Sequence, residues 1–154
     1  MALAMEGEER IEAPIETVWA ALNDPEILKA CIPGCDSLEK MADNQLSATV
    51  TLKIGPIKAK FDGEVELKNL NPPHSYTIQG EGKGGIAGFA KGGADVQLVA
   101  ESPDVTLLTY SAKADVGGKI AQLGSRLIDS TSRKLAGQFF ASFNEKVSAS
   151  AATI

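Results

Sequence analysis

Apolar residues recur at every second position from Leu46 onward. Leu46, Ala48, Val50, Leu52 and Ile54 alternate with Ser47, Thr49, Thr51 and Lys53. Gly55-Pro56 resets the phase, after which Ile57, Ala59, Phe61, Gly63, Val65 and Leu67 alternate with Lys58, Lys60, Asp62, Glu64, Glu66 and Lys68. This pattern predicts strands with one dry and one wet face, and hence an antiparallel sheet. Beyond the turn NLNPPHS a third strand begins with Tyr76, Ile78, Gly80 and Gly82. A fourth carries Ala90, Gly92, Ala94, Val96, Leu98 and Ala100 on one face. Ser102-Pro103-Asp104 turns the chain into a fifth, with Thr106, Leu108, Tyr110, Ala112, Ala114 and Val116.

After Gly117-Gly118 the period becomes helical. Ile120, Leu123, Leu127, Leu135, Phe139, Phe143 and Val147 form a stripe, widened by Ile128 and Phe140. No proline interrupts Lys119 to Ser148, so one helix of about 45 Å is predicted at 1.5 Å per residue. Upstream, Met5 to Glu12 alternates and predicts a short strand. Pro14 suits the first position of a helix whose apolar face is Ile15, Val18, Trp19 and Leu22. Asp24-Pro25 repeats the start signal for a second short helix through Ile27, Leu28 and Cys31, which Pro33-Gly34 ends. The order is α+β. The inner faces are buried only if the last helix lies across a curved sheet, the helix-grip arrangement. One domain is expected over residues 1–148, with 149–154 as a frayed tail.

Composition narrows the function. The chain has 154 residues, 44% hydrophobic and 23% charged, with a net charge of -5. That charge argues against a general nucleic-acid binder. Lys53, Lys58, Lys60, Lys68, Lys83 and Lys91 alternate with acids, so no large basic patch is evident. The start MALAMEGEER lacks the basic and apolar regions of an export signal, and no stretch approaches the roughly 20 apolar residues of a membrane helix. A cytoplasmic protein with reduced thiols is expected.

Both cysteines, Cys31 and Cys35, flank a Pro-Gly turn. The only histidine, His74, is distant in a proline-rich turn, so four zinc ligands are not at hand. A redox pair favours CxxC at a helix start, whereas here the spacing is CxxxC and Cys31 falls near a helix end. Two free thiols at a packed corner and no metal are expected. The run GEGKGGIAGFAKGG lacks the GK[ST] of a phosphate loop and reads as a hairpin of glycine-rich strands. No nucleophile elbow is present, and Glu64, Glu66, Asp95 and Glu101 fall on wet faces, so no catalytic residue is assigned. Gly80, Gly82, Ala90, Gly92, Ala94, Ala112 and Ala114 all fall on inferred inner faces. The helix then either lies very close to the sheet or spans a hole. Tyr76 and Tyr110 are the inward polar candidates.

The stretches APIETVWAALNDPEILKACIPGC, IGPIKAKFDGEVEL, GEGKGGIAGFAKGGADVQL and GQFFASFNEKV resemble the CoxG subunit family of carbon monoxide dehydrogenase, within the START-like (SRPBCC), Bet v 1-like superfamily. The resemblance covers nearly the whole chain. It implies a sheet gripping a C-terminal helix, an apolar ligand between them, and a non-enzymatic accessory role. The partner implied is a molybdenum hydroxylase of the carbon monoxide dehydrogenase type, served in maturation, membrane recruitment or electron transfer. A quinone is the ligand this setting suggests. Longer relatives carry an apolar C-terminal segment. This chain stops at Ile154 without one, so at most weak peripheral contact with the inner face of the membrane is expected. The expected ligand site has Cys31, Ile32 and Pro33 at its rim. Its walls are Tyr76, Ile78, Phe89 and Tyr110 from the sheet, with Leu123, Leu127 and Phe139 from the helix. Phe89 enters only if the glycine hairpin twists it over the mouth. The rivals are a helix-grip enzyme of the cyclase or hydratase kind, and an interaction module with a filled core.

Overall fold

The alternation becomes a single antiparallel sheet of seven strands. The computed structural model describes the backbone of residues 2–152 and the side chains of residues 2–148. The order is β1 (Ala2–Ile11), α1 (Ile15–Leu22), α2 (Pro25–Cys31), β2 (Cys35–Ala42), β3 (Gln45–Ile54), β4 (Ile57–Asn71), β5 (Ser75–Lys83), β6 (Phe89–Ser102), β7 (Val105–Gly117) and α3 (Ser125–Ala152). Across the sheet the strands run β1-β7-β6-β5-β4-β3-β2. Strands β2 to β7 are therefore a meander, and β1 closes onto β7 from Ala2 opposite Asp115 to Ile11 opposite Thr106. The two short helices fill the connection between the sheet's edges. Helix α3 crosses the inner face.

Four details differ from the sequence expectation. Strand β2 is absent from the periodicity because it is an edge strand with register shifts on either side of Ser37–Lys40, which break the alternation. Strand β1 starts three residues earlier than expected. Pro14 is the residue before α1, in extended conformation, and α1 begins at Ile15. The long helix is interrupted: Lys119–Leu123 is a 3-10 segment, and Gly124, with φ 92°, separates it from the 28 residues of α3. Ile120, Leu123 and Leu127 fit one helical stripe, so periodicity alone could not show that break. The expected tail at 149–154 lies outside the described side chains.

Local chemistry explains the turns. The Asp24 carboxylate accepts the Glu26 amide at 3.0 Å and caps α2, with Pro25 at the first position. At the Pro33-Gly34 corner the Thr51 amide donates to the Gly34 carbonyl at 2.8 Å. Gly34 has φ 74°, and a β-carbon there would run into the Thr51 carbonyl, so only glycine fits. The buried Thr106 hydroxyl donates to the Ala13 carbonyl at 2.8 Å, tying β7 to the chain between β1 and α1.

Two separate cores hold these elements. The first joins α1, α2 and the second half of α3 to the sheet through Ile11, Val18, Leu22, Cys31, Leu67, Tyr76, Val96, Leu98, Leu108, Phe143 and Val147. The second gathers Phe61, Ala87, Val116, Ile120 and Ile128 at the other end, with Leu52, Ile54, Ile57 and Ala59 of the β3–β4 hairpin packed against them.

Candidate functional site

Between the two cores the strand register aligns small residues. Gly80 stands opposite Gly92, which stands opposite Ala114. The next row is Ile78, Ala94 and Ala112, and the row after that is Tyr76, Val96 and Tyr110, where the first core begins. Toward the other end the row is Gly82, Ala90 and Val116. The stretch of α3 between Ile128 and Phe139 has Thr131, Ser132, Leu135 and Ala136 half-buried, and none of these joins either core. Ala94, Ala112 and Ala114 are likewise half-buried and outside both cores. A β-carbon on Gly82 would meet nothing within 4 Å. An inner sheet face that stays half-exposed under a helix has not been filled by side chains.

The expected site residues divide between the ends of this band. At the first core, Tyr76 is 5% exposed and meets Trp19 edge to face at 5.3 Å. Ile78 is half-buried against the same core. Tyr110 stacks on Phe140 at 5.6 Å, and Phe139 contacts both Phe140 and Phe143. Cys31 is buried in that core at the end of α2, while Ile32 and Pro33 are half-buried at the corner that follows. Leu123 and Leu127 lie at the opposite end, against the β3–β4 turn, where a β-carbon on Gly55 would be 2.8 Å from Leu127 Cδ2. Phe89 does not turn inward. It is 45% exposed, and its ring lies over Gly117 on the outer face, because Ala90 takes the inward position. The expected site left out Gly7, on which the Tyr110 ring rests, and Leu135 of the band, although periodicity had put Leu135 on the helix's apolar stripe. Gly7 lies opposite Tyr110, a pairing fixed by the β1–β7 register.

Burial shapes the polar groups. Desolvation holds the Tyr76 phenol well above its ordinary value. No described residue bonds its hydroxyl, and no fully buried side-chain polar atom among the described residues lacks a partner. The Tyr76 hydroxyl therefore keeps access to open space. Burial also raises both thiols; Cys31 and Cys35 are free, and the Cys35 thiol donates to the Ser37 carbonyl at 3.3 Å. Among the described residues, no group of three or more His, Cys, Asp or Glu could hold a metal ion. No helix there is long and apolar enough to cross a membrane.

Two surface concavities, of about 860 and 570 Å³, lie on the other face of the sheet. Glu64, Glu81, Asp95, Lys91, Lys113 and Thr77 line the larger, together with Met41, Leu46 and Val65 and with Gly80, Gly92 and Ala94 of the band's strands. Charges of both signs suit a solvated face, where an apolar molecule would have to displace their water. The inner band is the apolar one.

The structure is similar to a conserved protein from Geobacillus kaustophilus at TM-score 0.91 and 32% identity, over 96% of this chain and 97% of that one. It is similar to the Zhui aromatase/cyclase from Streptomyces sp. R1128 at TM-score 0.69 and 9% identity, over 96% and 94% of the two chains. A START superfamily protein from Mycobacterium smegmatis matches at TM-score 0.65 and 17% identity, over 97% of each chain. The last two likenesses establish the START-like fold alone. No curated protein matches the chain. The sequence pattern of the carbon monoxide dehydrogenase CoxG subunit matches residues 7–148. With nearly its whole length matched and the gripped helix in place, the chain belongs to the carbon monoxide dehydrogenase CoxG family.

Proposed function

We propose that this protein is a non-enzymatic accessory of a carbon monoxide dehydrogenase-type molybdenum hydroxylase, and that it holds an apolar small molecule between the sheet and α3. The observation that carries the reading is the band of glycine and alanine between two cores, half-exposed on the sheet and on the helix above it. Such a band removes apolar ligand surface from water and offers no charge to desolvate. Its strand rows, from Gly82 to Ile78, carry no ionisable side chain, which supports binding without catalysis.

A quinone suits this chemistry. Its ring and tail are apolar, and its carbonyl oxygens accept hydrogen bonds. The Tyr76 hydroxyl, to which no described residue bonds, is the donor we assign to one of them. Membership of the CoxG family supports a carbon monoxide dehydrogenase-type partner, and the role we assign is in its maturation, membrane recruitment or electron transfer. We place the protein on the cytoplasmic side, in at most weak peripheral contact with the membrane.

Native mass spectrometry after gentle purification from a quinone-producing host tests the reading. The expected result is one apolar molecule per chain, lost in Ala112→Leu while the fold persists. A parent protein that carries no such molecule and takes up no apolar fluorescent probe leaves the filled-core interaction module standing.

A further inference from the structure

The two edges of the sheet are guarded differently. Strand β2 carries register shifts on either side of Ser37–Lys40, and such bulges turn an edge away from further pairing. Strand β1 pairs with β7 without a break from Ala2 to Ile11, and it contains neither the lysine nor the proline that commonly blunts an edge. Asn144 of α3 marks the open side of β1. Its side chain accepts from the Glu12 amide at 3.1 Å and donates to the Arg10 carbonyl at 3.3 Å, the two bonds a residue of a neighbouring strand would make. Main-chain groups of successive strand residues point alternately to the two sides of the strand. Those of Ala4, Glu6 and Glu8 therefore point to the same side as the Arg10 carbonyl, while those of Met5, Gly7 and Glu9 bond β7. Among the described residues, nothing bonds the open-side groups of Ala4, Glu6 and Glu8.

This edge is acidic on the outer face. Glu6 and Glu8 are exposed there, opposite Ser111 and Thr109 of β7. The concavity of about 570 Å³ begins beside them; Glu6, Glu8 and Asp95 line it and, among the described residues, no lysine or arginine does. Two cations stand nearby: Arg10, which pairs with Glu101 at 2.7 Å, and Lys113, opposite Ala4. Neither forms a salt bridge with Glu6 or Glu8 among the described residues. The inner face of the same stretch is apolar. Met5 ends the row of Ile78, Ala94 and Ala112, and Gly7 carries the Tyr110 ring.

We propose that the open side of β1 takes an extended basic segment of a partner protein as a further strand, with lysines or arginines on the outer face against Glu6 and Glu8 and alternate, apolar residues on the inner face beside Met5. Strand addition gains affinity from main-chain bonds and specificity from alternate side chains. A second copy of this chain fits less well. Antiparallel pairing of β1 with itself about Gly7 sets Glu6 against Glu8, and a step either way sets Glu6 against Glu6 or Glu8 against Glu8. Like charges directly opposite are destabilising, whereas a basic segment puts an opposite charge at each of these positions. The proposal goes beyond the ligand reading and does not depend on it, although the added strand would extend the row that Met5 ends.

Amide hydrogen exchange read by NMR tests it, with a blocked peptide of alternating arginine and valine as the probe. The amides of Glu6 and Glu8 should slow on addition of the peptide, while those of Met5 and Gly7, already bonded to β7, should not change. Glu6→Gln/Glu8→Gln should weaken peptide binding by about fivefold per carboxylate, and high salt should weaken it too, by screening surface charge. The same peptide N-methylated at every amide keeps its charge but not its main-chain donors, and should not bind. No slowing at Glu6 and Glu8 overturns the proposal. Equal binding of the N-methylated peptide also overturns it, because charge alone would then explain the contact. Slowing of the same two amides with rising protein concentration, without peptide, overturns it by giving the edge to a second copy. Ligand content, read by mass spectrometry without the peptide, reports on the ligand reading alone, so either claim can fail while the other stands.

Discussion

The Tyr110 ring lies nearly parallel to that of Phe140, 5.6 Å away with 19° between the planes, so the last strand and the long helix meet through one aromatic pair. The ring occupies the space that a side chain at Gly7 would need. A β-carbon there would be 2.5 Å from Tyr110 Oη and 2.6 Å from Cζ. Gly7→Ala should therefore push the ring off Phe140 and destabilise the fold by about 1–3 kcal/mol. Tyr110→Ala should absorb most of that loss, making the double mutant clearly non-additive by equilibrium denaturation. Additive effects would mean that the ring moves aside freely.

The glycines of the band should not behave alike. A β-carbon on Gly82 meets nothing within 4 Å, whereas one on Gly92 falls 2.7 Å from Ala114 Cα in the neighbouring strand. Gly82→Leu should keep or raise the melting temperature, because a strand glycine carries an entropic cost of roughly 0.5–1 kcal/mol. It should also reduce uptake of an apolar fluorescent probe. Gly92→Leu should lower stability whether or not a hole exists, since the obstacle is main chain. A Gly82→Leu protein that melts well below the parent would show the helix already in contact.

Alkali should loosen the first core. Burial raises Cys31 and Tyr76, so both bind their protons more tightly folded than unfolded. Their contribution to stability is complete below the ordinary thiol and phenol values, about 8.5 and 10, and is lost as pH rises through the elevated ones. Denaturation midpoints should fall above about pH 9 and fall less in Cys31→Ala, judged against its own neutral value. In the native state Cys35, half-buried, should react with a thiol reagent before Cys31, which is 2% exposed. Faster labelling of Cys31 would place it outside the core.

Asn144 fastens α3 to the first strand. Its Oδ1 accepts the Glu12 amide at 3.1 Å, and its Nδ2 donates to the Arg10 carbonyl at 3.3 Å. Asn144→Ala should cost about 1–2 kcal/mol for the two bonds and speed hydrogen exchange at Glu12. Unchanged exchange there would show that packing of Phe143 and Val147 alone seats the helix.

Much of this architecture is written in local pattern. The period of two from Leu46 to Val116 fixes the inward side of each central strand, because successive strand residues point to opposite faces. The Asp24-Pro25 start of α2 is legible for the same local reason, as are the turns at Gly55-Pro56 and Ser102-Pro103-Asp104. Strand β2 escaped because an edge strand with shifted register shows no alternation, and the break at Gly124 escaped because a 3-10 segment can share a helix's stripe. The family could be named from the short stretches around CIPGC and GQFFASF, since those depend on residue identity rather than on packing.

The candidate site belongs to the tertiary structure. Alternation said that Gly80, Gly92 and Ala114 face inward, but only the pairing register set them in one row between two cores. It also separated Leu127 from Tyr76 by the length of the band and turned Phe89 to the outer face. Tyr110 could be read as inward; its partners Phe140 and Gly7 could not, because one sits on a helix and the other on the strand that closes the sheet from the far end of the chain. A strand's own sequence determines which face of it is dry, whereas the neighbours across that face are set by the meander's register and by where the helix crosses.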